Sequence, residues 1–151
     1  MTSSDEIKTL LLELIPEDMK ADNLVTNGMI KLAVINMGAA LGIDDMVITE
    51  GENDDLEIIY NITPNLTLKQ ISLASYFAYG LYLEKLKLAL NQDAINFSTL
   101  TFSIKGLEKR PEAINDSIYY NKRYIQSQID MMNGSSAILG TAKMWGGDSS
   151  E

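Results

Sequence analysis

The sequence has no cysteine and no histidine among its 151 residues, and only three prolines and one tryptophan. Without cysteine there is no disulfide, no thiolate nucleophile, no zinc–thiolate centre and no iron–sulfur cluster. Without histidine there is no imidazole base, no Ser-His-Asp relay and no imidazole metal ligand. Carboxylate, lysine and tyrosine chemistry stay open. Positive charge is also scarce: 12 basic side chains stand against 21 acidic ones, a formal net charge of -9. That balance argues against holding phosphate backbones by bulk charge. Long apolar runs are missing too. The most apolar stretch, residues 32–43, is interrupted and far short of the roughly 20 residues a membrane span needs. The start, MTSSDEIKTLLLELI, is acidic where a secretory signal is basic. The expectation is a soluble protein made in a cytoplasm.

What is present reads as an ordinary globular domain. Apolar residues make up 46% and charged residues 22%, enough for a core and too little charge for a disordered chain. A first helix is expected over residues 4–15. Ser3 and Glu6 have capping-box spacing, Ile7, Leu10, Leu11 and Leu14 share a face, and Pro16 stops it. A second is expected over 23–41, with Val25, Met29, Leu32, Ala33 and Met37 at helical spacing. Ile30, Val34 and Leu41 broaden the stripe, and Gly42 follows as a left-handed terminator. Gly38 and Gly42 also have the spacing of a close helix crossing. The simpler reading is that one of them only ends the helix.

Residues 44–57 are an acidic interruption holding Asp44, Asp45, Glu50, Glu52, Asp54, Asp55 and Glu57. A calcium loop of the EF-hand type fails here: placing Gly51 at its glycine position puts Met46 and Ile48 where oxygen ligands are required. A solvated loop is the expectation, with a nonstandard cation site as the alternative. Leu56, Ile58, Ile59, Tyr60 and Ile62 offer a short strand or extended connector. A third helix is expected over 68–91, opened by a Thr67/Gln70 capping box. Its cluster of Tyr76, Phe77, Tyr79 and Tyr82 has the look of a base-stacking platform, but at helical spacing and without a basic patch it reads as core or interface. Residues 97–105, FSTLTFSIK, alternate as a strand or extended loop does. A fourth helix is expected from Pro111 to about Asn133, with Ile114, Ile118, Ile125, Ile129 and Met132 as its stripe and Gly134 as its end. Residues 134–151 are rich in glycine and serine, yet hold Ile138, Leu139, Met144 and Trp145. Those four suit an anchor for a partner, or a tail that folds back on its own core.

The charge is polarised. Residues 1–60 carry 13 acids and 3 bases, and the remainder 8 acids and 9 bases. The fold class expected is mainly α: a small four-helix bundle with an extended loop or β-hairpin between helices three and four. An extended C-terminal tail follows. Residues 1–133 would form the domain and 134–151 a flexible tail.

The order of elements, above all the long third helix, the F-S-T-L-T-F-S-I-K-G segment and the Pro-started fourth helix, resembles the head–tail adaptor (connector) proteins of tailed bacteriophages. The likeness spans nearly the whole chain. It implies a structural virion protein at the neck, made in a host bacterium's cytoplasm. It implies self-assembly into a ring of about twelve copies, closed by head-to-tail contacts. Its partners would be the portal protein above and tail or neck proteins below. DNA would pass through without specific binding. No enzymatic activity, cofactor or membrane is implied. The portal contact would fall on Ile138, Leu139, Met144 and Trp145. The acids Asp44, Asp45, Glu50, Glu52, Asp54 and Asp55 would face the channel and repel DNA. Two rival readings remain. One is an acidic DNA-mimicking inhibitor or other small helical interaction module. The other is a carboxylate enzyme built on Asp54, Asp55 and Glu57.

Overall fold

A computed structural model describes residues 1–96 and 110–145. Strand β1 (Thr2–Ser3) leads directly into helix α1 (Ser4–Leu14). The expected capping box forms: the Ser3 amide donates to Glu6 Oε2 at 2.9 Å, and Ser3 Oγ accepts from the Asp5 amide at 3.1 Å. Pro16 forces Ile15 into extended backbone, which ends the helix. Two short 3-10 turns follow, Glu17–Met19 and Asp22–Leu24.

Helix α2 (Asn27–Leu41) starts four residues later than the periodicity predicted. Thr26 takes the cap, its Oγ1 accepting from the Met29 amide at 3.2 Å. A side-chain cap at the helix entry outweighs propensity in the residues before it. Gly42 ends the helix at φ 71°, the conformation a residue with a Cβ avoids. Gly38 serves no helix crossing. A Cβ there would lie 2.5 Å from Met46 Cε, so Met46 lies over the space it leaves.

The acidic interruption is not a loop but a hairpin. Strands β2 (Val47–Glu52) and β3 (Ile58–Thr63) pair antiparallel, and β1 pairs with the other side of β3, giving the order β1-β3-β2. The short strand expected near Leu56–Ile62 is thus β3. A sheet therefore sits between helices two and three. The loop or hairpin expected between helices three and four falls on residues 97–109, outside the described residues. The pattern of β2 gave no alternation to read: Ile48, Glu50 and Glu52 share one face of the strand, and of these only Ile48 packs on the core.

Helix α3 (Leu68–Asn96) opens with the predicted reciprocal cap. The Thr67 amide donates to Gln70 Oε1 at 2.9 Å and the Gln70 amide to Thr67 Oγ1 at 3.2 Å. Helix α4 (Arg110–Trp145) begins beside Pro111 as expected but does not end at Gly134. A glycine costs a helix interior only about 1 kcal/mol, so it does not by itself stop one. The chain is mainly helical, with a small three-stranded sheet. Among the described residues no helix is long and apolar enough to cross a membrane.

Two clusters form the core. One joins Leu11, Ile15, Met29, Ala33, Tyr82, Leu83, Leu86 and Ile114. The other joins Ile7, Ile30, Val34, Met37, Ile62, Ile71, Leu73 and Ala74. Phe77 packs against both. The predicted stripe of α4 lies as expected, Ile118 on the first cluster and Ile125, Ile129 and Met132 on the second. The aromatic cluster of α3 is core rather than a platform. Tyr82 is fully buried, Phe77 and Tyr79 are partly buried, and Tyr76 meets Tyr124 at a tilt of 41° with ring centroids 4.4 Å apart.

The buried polar groups act as ties. Tyr82 Oη accepts from the Ala21 amide at 2.7 Å and donates to the Met19 carbonyl, clipping the 3-10 segment to α3. Thr2 Oγ1 accepts from the Leu66 amide at 2.8 Å, and Ser4 Oγ from the Tyr60 amide at 2.9 Å. The N-terminus thereby ties down the middle of β3 and the segment that follows it.

Candidate functional site

The seven acids of residues 44–57 are all exposed. Asp44 and Asp45 lie between α2 and β2, Glu50 and Glu52 on β2, and Asp54, Asp55 and Glu57 in the turn. Asn53 organises that turn. Its Oδ1 accepts from the Asp55 and Glu57 amides at 2.9 and 3.0 Å, and its Nδ2 reaches Glu57 Oε2 at 3.3 Å. None of these acids has an ion-pair partner among the described residues. Nor do any three described acidic side chains converge as a metal site would require. The cluster is thus a strip of negative charge along one hairpin.

Leu56, at the hairpin tip, is 76% exposed and has φ 62°. The turn demands a left-handed residue there, the place where hairpins of this length take glycine. A Cβ in that region costs about 1–2 kcal/mol. Leu56→Gly is expected to raise the unfolding free energy by about 0.5–1 kcal/mol, because relief of strain exceeds the added chain entropy. Urea denaturation of both proteins checks it. An unchanged or lower midpoint would mean the leucine side chain contributes packing that its exposure hides.

A second surface lies on α4. Tyr119, Tyr120, Tyr124 and Met131 are exposed, Tyr120 by 67%. Arg123 Nη1 donates to Tyr119 Oη at 3.0 Å and lies over that ring, and Tyr119 and Tyr120 meet edge-on at 5.5 Å. Next to them a cleft of about 690 Å³ opens between the first turn of α3 and α4, lined by Leu68, Leu73, Tyr76, Tyr124, Met131 and Met132. Leu68, 86% exposed, stands at its mouth.

A narrower cleft of about 450 Å³ lies between α2, α3 and α4. The Asn121 side chain on its wall is 6% exposed. Its Nδ2 donates to the Tyr76 carbonyl at 3.1 Å, while Oδ1 is buried without a partner. Gly80 makes room for that amide, since a Cβ there would come within 3.1 Å of it. The sequence stripe marked the apolar positions of α4 and passed over Asn121, because a polar residue between isoleucines reads as a solvent position.

Burial pushes two tyrosines above the ordinary value of about 10. For Tyr76 desolvation is joined by its neighbour Tyr124. For Tyr79 desolvation dominates, a hydrogen bond with Ser117 opposes it, and the Asp18 carboxylate adds to it. Each holds its proton more tightly folded than unfolded. Their contribution is therefore complete below about pH 10 and is lost as pH rises above it. The melting temperature is expected to fall above about pH 10, with Tyr79→Phe flattening that fall. An equal fall in the variant would assign it to other groups.

The four partner residues expected near the C-terminus, Ile138, Leu139, Met144 and Trp145, all belong to α4 by their backbone. The expected partner segment is therefore helical up to Trp145, continuing twelve residues past Asn133, whose Nδ2 donates to the Ala40 carbonyl at 3.3 Å. The arrangement joins an acidic hairpin, an aromatic helix face and a long last helix on one small core. No protein-family model, no curated protein and no solved structure matches this chain.

Proposed function

We propose that this protein is a structural assembly module: a head–tail adaptor that closes into a ring beneath a phage portal, joins capsid to tail and surrounds the DNA channel. The observation that supports it best is the presence of two unlike surfaces on different elements. One is the acidic hairpin β2–β3, with no basic side chain of its own. The other is the exposed aromatic face of α4. Ring closure needs two different patches that meet head to tail, and a single self-complementary patch would give a two-fold dimer instead. Aromatic side chains with a nearby arginine are the composition that carries binding energy at interfaces. In this reading the acids line or flank the channel and repel the genome, and Ile138, Leu139, Met144 and Trp145 supply the portal contact.

Light scattering of the purified chain with a candidate portal protein, followed by electron microscopy, tests the proposal. The expected result is a stoichiometric complex with ring-shaped particles, weakened at least tenfold by truncation after Asn133. Absence of association at micromolar concentrations, with the truncation also silent, would sink it. Selective capture of a nuclease or repressor would favour the DNA-mimic reading.

A further inference from the structure

Among the described residues β2 is paired on one side only, and none of its residues is buried. The ladder shows which backbone groups its other edge presents. The Tyr60 amide donates to Ser4 Oγ at 2.9 Å, and the Ile58 carbonyl accepts from Asn27 Nδ2 at 2.7 Å. Both groups therefore point away from β2. In an antiparallel ladder, facing residues alternate between pairs that exchange both bonds and pairs that exchange none. Tyr60 faces Glu50, Ile58 faces Glu52 and Ile62 faces Ile48, so these three pairs are of the second kind. The Asn53 amide, one residue further on, bonds the Glu57 carbonyl at 3.1 Å, as the alternation requires. The amides and carbonyls of Ile48, Glu50 and Glu52 thus point outward from the sheet edge.

The side chains at those three positions share one face. Along it the chemistry changes from apolar at Ile48, which packs on the core, to acidic at Glu50 and Glu52. Asp54, Asp55 and Glu57 continue the charge around the turn. A hydrogen bond from Asn53 Nδ2 to Asp5 Oδ2 at 3.4 Å brings a further acid, from the first turn of α1, to the same end. The hairpin has no base of its own. Lys31, the nearest before it in sequence, lies 4.9 Å over the Tyr60 ring rather than on a carboxylate.

An open edge is a template for a further strand. Like charges facing each other across a pair are unfavourable, so a second β2 is a poor match there. Basic side chains facing the glutamates are a good one. Free backbone groups and unanswered charge are separate observations, and they select the same occupant.

We propose that the free edge of β2 binds an extended segment of another protein as a fourth strand of the sheet. That segment carries basic side chains at two alternate positions, opposite Glu50 and Glu52, and an apolar one opposite Ile48. Backbone bonds to Ile48, Glu50 and Glu52 hold the strand, and the carboxylates choose its sequence. This goes beyond the adaptor proposal, which gives the hairpin acids only a repulsive role, and does not rest on it.

Fluorescence anisotropy of a labelled VTKTKTV peptide with the whole chain tests this. Its lysines and valines share one face of a strand, in either direction. Two N-methylated versions separate strand pairing from attraction by charge. One is methylated on the lysine amides, the other on two threonine amides, and both keep the same charge. An added strand turns only one of these sets toward β2. Methylation of that set should weaken binding at least about tenfold, and of the other set less than about twofold. Loss with the lysine set marks an antiparallel addition, and loss with the threonine set a parallel one. On the protein, Glu50→Gln with Glu52→Gln should weaken the unmethylated peptide about fivefold. Asp44→Asn with Asp45→Asn, which removes the same charge outside the strand, should change it less than about twofold. Methylated peptides that behave alike, equal effects of the two acid pairs, or no binding at about 0.1 mM overturns the proposal. Self-association of the purified chain that excludes the peptide, read by light scattering, makes a second copy the occupant and overturns it equally.

Discussion

Tyr82→Phe is expected to lower the unfolding free energy by about 2–4 kcal/mol. The ring itself would remain in place, so no cavity is made and the whole effect belongs to the hydroxyl. That hydroxyl serves the Ala21 amide and the Met19 carbonyl, both on residues that are themselves buried. Removing it leaves a donor and an acceptor without a partner, at about 1–3 kcal/mol each. For a domain of this size the melting temperature should drop by roughly 6–12 °C. Calorimetry on the two proteins reads this directly. A loss below about 1 kcal/mol would mean that water reaches both backbone groups once the hydroxyl is gone. The local consequence is as specific as the global one. Amide exchange should accelerate first in residues 16–26, the segment the hydroxyl clips to α3.

Ile114→Ala is the second large effect, about 3 kcal/mol. Ile114 is fully buried against Leu83, Leu86 and their neighbours, near the start of α4. Truncation removes three carbons from a filled site, and the cost combines lost transfer energy with the cavity left behind. Ile118→Ala, at a partly buried position on the same cluster, should cost less. Equal losses at the two positions would show that α4 is held evenly along its length rather than anchored at Ile114. Denaturant midpoints supply the comparison, and exchange protection in α4 should fall before that of α1 and α2. The result also bears on function, because the aromatic face in the ring proposal depends on α4 lying against α3.

Helix entries were the most legible features. Ser3 with Glu6 and Thr67 with Gln70 are local chemistry, completed within four residues, and both boxes formed where the spacing put them. The left-handed stop at Gly42 was legible for the same reason. The hairpin was not. On β2 the core-facing Ile48 shares its side with the exposed Glu50 and Glu52, so no apolar–polar alternation marks the strand, and seven acids in fourteen residues read as solvent. The end of α4 was misread in the opposite direction, because Gly134 looked like a terminator and a single glycine does not stop a helix.

The interaction surfaces divide along similar lines. The polarity of charge came from counting, since every acid of the hairpin is a property of the chain. That two of those acids, Glu50 and Glu52, lie on a strand whose other edge is open among the described residues came from pairing. β3 is covered by β1 on one side and β2 on the other, and only the register shows that Ile48, Glu50 and Glu52 turn their backbones outward. Leu56 at a positive φ and Asn121 between isoleucines gave no signal, because their significance lies in the backbone and neighbours they meet.

By itself the sequence determined the short-range features: where α1, α3 and α4 begin, which faces are apolar, and where the negative charge is concentrated. These follow from spacing, and spacing is written in the chain. Only the tertiary structure decided which strand lies at an edge, which hydroxyl ties which loop, and which tyrosines face solvent. Those depend on residues about sixty positions apart meeting, as Tyr82 meets Met19 and Ala21. The free energy of such contacts is set by burial and geometry that no local pattern records.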